Sequence, residues 1–213
     1  MANIIAFMNT KGGVGKTTLS INLAHALALD NQKVLLIDGD VQASAREWFE
    51  EVEKPIFTVV GYENEGLDKQ INQLSQSYDW VIIDGSAKQE KANVGQIKSA
   101  DLIVIPVSPS PLDLWATSGL VETIKTRQEM TDGIPVAGFQ ISKAIKGTKV
   151  SSEIKDAVSA YGFELLNGSI HQRVEFVKSL SLGKTVFDVC SKDSDEIFEV
   201  QHMKKQIVKA FES

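Results

Sequence analysis

The chain has 213 residues, 43% of them hydrophobic and 23% charged, with a formal net charge of −6 at pH 7. These values fit one globular domain spanning 1–213 with a sizeable core, and the negative balance argues against wholesale coating of nucleic acid while leaving room for a local basic patch. The single Cys190 excludes an internal disulfide framework and a multi-cysteine zinc site. No apolar run reaches transmembrane length and no basic-then-apolar leader opens the chain, so a cytoplasmic protein is expected.

The first apolar run, Ile4–Met8, leads into Lys11-Gly12-Gly13-Val14-Gly15-Lys16-Thr17-Thr18 and then a helical pattern over 17–29. A glycine-rich turn between a strand and a helix aims several backbone N–H groups at one point, at the positive end of the helix dipole. That point suits a phosphate chain. Lys16 would reach the terminal phosphates and the Thr17 hydroxyl would ligate Mg²⁺. The usual motif has glycine at position 10; here Thr10 stands there, and a second lysine, Lys11, opens the loop.

Further strands are expected at Val34–Ile37, Ile56–Val60, Trp80–Ile83, Leu102–Val107 and Val136–Ile141, with helices over 42–52, 67–76, 89–98, 112–130 and 150–161. Several strand runs are apolar at consecutive positions, the pattern of parallel strands buried on both faces. Repeated β–α alternation then gives an α/β fold of the P-loop NTPase kind, a mostly parallel twisted sheet with helices on both faces. Asp38 and Asp40 follow the second strand at its C-terminal end, where ligands bind in open α/β sheets. Asp38 would hold Mg²⁺ through water. Asp40 would either orient the water attacking a γ-phosphate or cap the following helix. Asp84 closes the apolar strand Trp80–Ile83 as a Walker B aspartate would, supporting Mg²⁺. After Leu102–Val107, three prolines (Pro106, Pro109 and Pro111) stiffen the chain. That loop would frame a base, with Pro106 in the cofactor site, form a partner surface, or serve only as a stiff connection. His25, His171 and His202 are scattered and form no metal set; His25 sits in the first helical pattern and reads as structural.

The stretch Lys11 to Thr18, the run Asp38-Gly39-Asp40-Val41-Gln42 and Asp84 resemble the deviant Walker motifs of the ParA/MinD ATPases. Pro106 to Asp113, Ile170 to Val174 and Gly183 to Phe187 resemble the small plasmid-partition ParA proteins of the ParF-like type. The resemblance implies ATP and Mg²⁺ as cofactors and an ATP-sandwich homodimer, in which Lys11, the signature lysine, reaches the phosphates held by the other subunit. With Lys16 and Asp40 it makes the catalytic set; Gly12, Gly13, Val14, Gly15, Lys16, Thr17 and Thr18 bind the nucleotide, and Thr17, Asp38 and Asp84 the metal. Two departures stand out: Val41 replaces the family's usual proline, and Gly85-Ser86-Ala87-Lys88 replaces a proline-containing loop.

The resemblance further implies non-specific DNA binding on the nucleoid and segregation of plasmid or chromosome cargo with a small ParB/ParG-like centromere-binding partner. The phosphate loop comes so early that operator recognition is left to that partner. Candidate DNA contacts are Lys143, Lys146 and Lys149 in one loop, and Lys204, Lys205 and Lys209 near the end. The alternatives are a MinD-like membrane-associated ATPase and a relative that positions protein assemblies. The apolar residues Ile197, Val200, Met203, Ile207, Val208 and Phe211 at helical spacing are the only membrane-binding candidate. They read better as the core side of a last helix. A small-molecule P-loop enzyme would need a further basic or nucleophilic constellation, which the sequence lacks.

Overall fold

The computed structural model describes residues 1–62, 64–87, 90–147 and 152–212. Its strands are β1 (Asn3–Phe7), β2 (Val34–Asp38), β3 (Thr58–Gly61), β4 (Trp80–Asp84), β5 (Leu102–Val107), β6 (Val136–Ala144) and β7 (Glu164–His171). The helices are α1 (Lys16–Ala28), α2 (Ser44–Glu50), α3 (Leu67–Leu74), α4 (Glu90–Ser99), α5 (Pro111–Trp115), α6 (Ser118–Glu129), α7 (Ser152–Ala160), α8 (Val174–Leu180), α9 (Val186–Val189) and α10 (Asp195–Glu212). The strands form one sheet in the order β3-β2-β4-β1-β5-β6-β7, and every pairing is parallel.

The consecutive apolar residues of the strands divide between two cores. Ile4 and Ala6 of β1 face a layer built by α3 to α7, through Ile71, Ile97, Leu114, Ile124 and Ile154. Ile5 and Phe7 face the opposite layer, through Leu19, Leu23 and Leu27 of α1, Trp48 of α2, Phe176 of α8 and Val200, Met203 and Ile207 of α10. A strand covered on both faces has no polar side to show, which is why alternation is missing from its sequence. Because β1 lies between β4 and β5, the loop leaving its C-terminal end emerges beside Asp84.

Three expectations are corrected. The single helix over 112–130 is two helices, α5 and α6. The Thr117 hydroxyl donates to the Leu114 carbonyl at 2.6 Å and the Thr117 amide donates to the same oxygen at 3.0 Å. Ala116 and Thr117 thus form a turn that separates the two helices. The second correction is β7, a strand the apolar pattern did not mark: it lies at the sheet edge, and among its residues only Ile170 is buried. The third concerns α2, which begins at Ser44, after a loop in which Ala43 holds a left-handed φ of 56°. The α10 stripe does face the core, against α1 and β7, with Phe211 edge-on to Trp80 at 5.2 Å. Helix α2 is clamped from the far side. The Trp48 indole donates to the Lys184 carbonyl at 3.2 Å and stacks on Phe57 at 5.7 Å, while a Cβ on Gly183 would lie 2.2 Å from the Glu51 carbonyl oxygen.

Candidate functional site

The glycine loop is held by side chains from distant parts of the chain. Asn9 donates from Nδ2 to the Pro106 carbonyl at 2.8 Å, and its Oδ1 accepts the Lys11 amide at 2.8 Å. On the other side, the buried Ser142 hydroxyl of β6 donates to the Val14 carbonyl at 2.6 Å. Gly13 and Gly15 take φ values of 75° and 96°, which a side chain would resist. Gly15 is the N-cap of α1, and no side chain caps that helix, so its first-turn amides keep their donors for a ligand. Gly12, Gly13, Gly15, Lys16, Thr17 and Thr18 line a cavity of about 730 Å³ together with Asp40 and Gln42. Its far wall comes from β7, α8 and the link between them, through Ile170, Gln172, Phe176 and Val177.

Lys16 is 7% exposed, and its Nζ lies 3.4 Å from the Lys11 carbonyl. Burial lowers its pKa, with Asp84 and Asp40 pulling the other way. Asp84, fully buried, is pushed up to about 7, chiefly by burial; a hydrogen bond from Thr17 opposes the shift and the neighbouring Asp38 adds to it. Among the described residues its Oδ2 has no hydrogen-bond partner. An orphaned buried carboxylate oxygen beside a threonine hydroxyl is the donor chemistry that a hard divalent cation takes. The residues therefore fit Mg²⁺, which Thr17 and Asp84 would hold. Among the described residues no cluster of three or more His, Cys, Asp or Glu would hold a metal alone.

Asp38, expected to hold Mg²⁺ through water, also serves the backbone around it. Its Oδ1 accepts the Asp40 amide at 3.1 Å, and its Oδ2 accepts the amides of Ala45 and Arg46 at 3.1 and 3.0 Å. Both oxygens thus tie down the backbone of the loop and the start of α2, and Arg46 Nε lies 3.7 Å from Oδ2. It is Asp38, not Asp40, that serves the helix start. Asp40 lies at the cavity wall, where Oδ1 accepts the Gln42 amide at 3.0 Å and Oδ2 the Ala87 amide at 3.4 Å. Pro106 is buried in β5, outside the cavity lining, and its carbonyl accepts the Asn9 side-chain amide. Lys11 also lies outside that lining, ion-paired with Asp113 of α5.

Sequence reasoning missed Asn9, Ser142 and the β7–α8 wall. Of the basic candidates, Lys146 pairs with Asp195 at 3.0 Å and Lys204 with Asp30 at 2.6 Å. Lys143, Lys205 and Lys209 are exposed, and Lys149 falls outside the described residues. His25 is structural, bonded through Nδ1 to the Thr185 hydroxyl at 2.9 Å and stacked on Phe187.

Residues 5–186 match the model of the CobQ/CobB/MinD/ParA nucleotide binding domain. The chain belongs to that family. Its relatives include the maintenance of carboxysome distribution protein A of Halothiobacillus neapolitanus, 26% identical over 208 residues, which cover 96% of this chain and 95% of that protein. The sporulation initiation inhibitor protein Soj of Bacillus subtilis is 24% identical, over 76% of this chain and 80% of its own. Among solved structures, cobyrinic acid a,c-diamide synthase from Mycobacterium smegmatis with bound ADP and magnesium superposes with a TM-score of 0.77 at 17% identity, covering 100% of this chain and 96% of that one. The match is one of fold. ParA/MinD ATPases use ATP and Mg²⁺ as cofactors, and the loop of this ParA/MinD-family chain has the geometry for both.

Proposed function

We propose that the chain is an Mg²⁺-dependent ATPase that dimerises around ATP and in that state binds DNA without sequence preference. It would segregate plasmid or chromosome cargo on the nucleoid, in the cytoplasm, with a small ParB/ParG-like centromere-binding partner. ParA/MinD-family proteins dimerise and work with partner proteins, which supports the general scheme. The observation that carries the reading is the contrast between two lysines of one loop. Lys16 is buried in its own cavity, whereas the Lys11 side chain is 47% exposed and lies outside that cavity.

In the proposed cycle the loop amides and Lys16 hold the phosphates, and Thr17 and Asp84 hold the metal. Mg²⁺ held there would offset the negative charge of the phosphates. Asp40 orients the attacking water, and Asp38 keeps the Asp40 loop in place. Lys11 supplies positive charge to the partner subunit's phosphates, the work an arginine finger does elsewhere. A subunit alone then cannot complete its site, which makes dimerisation depend on nucleotide. DNA contact falls to exposed lysines such as Lys143, Lys205 and Lys209, with counterion release as its driving force.

A second reading is that the cargo is a protein assembly; the near full-length likeness to a carboxysome distribution protein favours it. Membrane attachment has less support. Among the described residues no helix is long and apolar enough to cross a membrane, and the α10 stripe is already packed. The test is size analysis with ATP, with ADP and with Asp40→Ala. Dimers should form with ATP and persist in the variant. A chain that stays monomeric with ATP and Mg²⁺ overturns the sandwich. DNA binding should require ATP and fall steeply with salt; ATP-loaded protein that ignores DNA at low salt removes that part.

A further inference from the structure

Two glycines follow the acidic strand ends of the site, Gly39 after Asp38 and Gly85 after Asp84. Neither adopts a positive φ, so backbone conformation does not demand glycine at either position. Space does. A Cβ on Gly39 would lie 2.3 Å from Nε2 of Gln96, and a Cβ on Gly85 would lie 2.8 Å from the Phe7 carbonyl oxygen and 3.0 Å from Oε1 of Gln96. Gln96 sits on α4 and is 1% exposed, its amide lodged between the two loops. Nε2 donates to the Gly39 carbonyl at 3.4 Å, while Oε1 has no hydrogen-bond partner among the described residues. Asn93, one turn earlier on α4, is also buried and also has an oxygen without a partner.

A buried carboxamide that satisfies only part of its capacity lowers stability relative to an apolar side chain of similar volume. Core packing therefore does not explain glutamine here. The two loops already touch: the Gly39 amide donates to the Asp84 carbonyl at 2.9 Å, and Ala87 reaches Asp40. We propose that Gln96 is a positioning residue that locks the loop carrying Asp40 to the loop following Asp84, so that both move together with α4. The proposal rests on the reading of Asp40 given above; no assignment made from the sequence touches Gln96.

The test is a set of variants assayed for ATP affinity, hydrolysis and melting temperature: Gln96→Leu, Gln96→Ala, Gly39→Ala and the Gly39→Ala/Gln96→Ala double. Gln96→Leu should fold and keep its KM for ATP within about threefold while kcat falls by roughly tenfold or more, because Asp40 loses its register. Gly39→Ala should melt lower, and the double variant should recover part of that loss, since the shortened side chain vacates the space a Cβ needs. Wild-type kcat in Gln96→Leu overturns the positioning role. Additive melting shifts in the double variant overturn the wedge. If the unaltered chain neither binds nor hydrolyses ATP, the ATPase reading fails instead, and the melting series still decides whether Gln96 ties the loops.

Discussion

Lys11 and Asp113 form an ion pair between the opening of the glycine loop and the first turn of α5. The contact is reinforced next door, where the Thr10 hydroxyl donates to the Ala116 carbonyl at 3.1 Å. The lysine expected to serve a second subunit is therefore engaged within its own chain. Half-exposed pairs of this kind are worth up to about 1 kcal/mol. Asp113→Asn should free Lys11 and strengthen the ATP-dependent dimer by up to about fivefold for each of its two subunits, measured by sedimentation equilibrium with ATP and Mg²⁺. A weaker dimer in the variant would show that Asp113 supports the interface instead of holding Lys11 back.

The two lysines should separate in their effects. Lys16→Ala removes a buried cation from the cavity and should weaken ATP binding by roughly ten- to a hundredfold, the range for hydrogen bonds to charged groups. Lys11→Ala should leave binding by the monomer nearly intact, yet lower hydrolysis by about a thousandfold, as loss of a charge supplied in trans does. Titration with a fluorescent ATP analogue alongside a phosphate-release assay distinguishes them. Equal loss of binding in both variants would defeat the division of roles.

Ser142→Ala tests whether β6 props up the loop. The substitution strips a buried carbonyl of its donor, at a cost of about 1–3 kcal/mol. Lower melting temperature and several-fold weaker ATP binding are expected together. A variant that melts lower but binds ATP normally would confine Ser142 to stability.

His25 sets a pH dependence of stability. Burial lowers its pKa below 6.5, and Asp188 opposes that shift. The unfolded chain then takes up a proton more readily than the fold does. The contribution is complete above pH ~6.5 and is lost as pH falls through the lowered folded value. Denaturant unfolding at pH 7.5 and 5.5 should show a loss on acidification that shrinks in His25→Asn. The same loss in both proteins would place its origin elsewhere.

Much of the sheet was legible because double-sided burial leaves an unmistakable mark: Val34 to Ile37 and Trp80 to Ile83 can only be inner strands. The edge strand β7 left no such mark: only Ile170 of it is buried, and Gly168, with φ of 84°, lies inside the strand. The glycine loop and Asp84 were readable because their chemistry is local in sequence. The tasks of Asp38, Asn9 and Ser142 were not. Asp38 meets the amides of Ala45 and Arg46 only once the loop has folded back, and Ser142 meets Val14 across 128 positions. Such partners are set by the sheet order, which no short motif encodes.

The clamp on Trp48 has a practical consequence. The chain has three tryptophans, and Trp48 stands on the helix whose start is pinned by Asp38. Its indole N–H is bonded to Lys184 and its ring lies flat on Phe57. Any shift of the Asp40 loop that carries α2 with it must disturb one of those contacts, and indole emission is sensitive to both. With Trp80 and Trp115 replaced by phenylalanine, the protein would report the state of its own nucleotide loop as a colour change, with no added label.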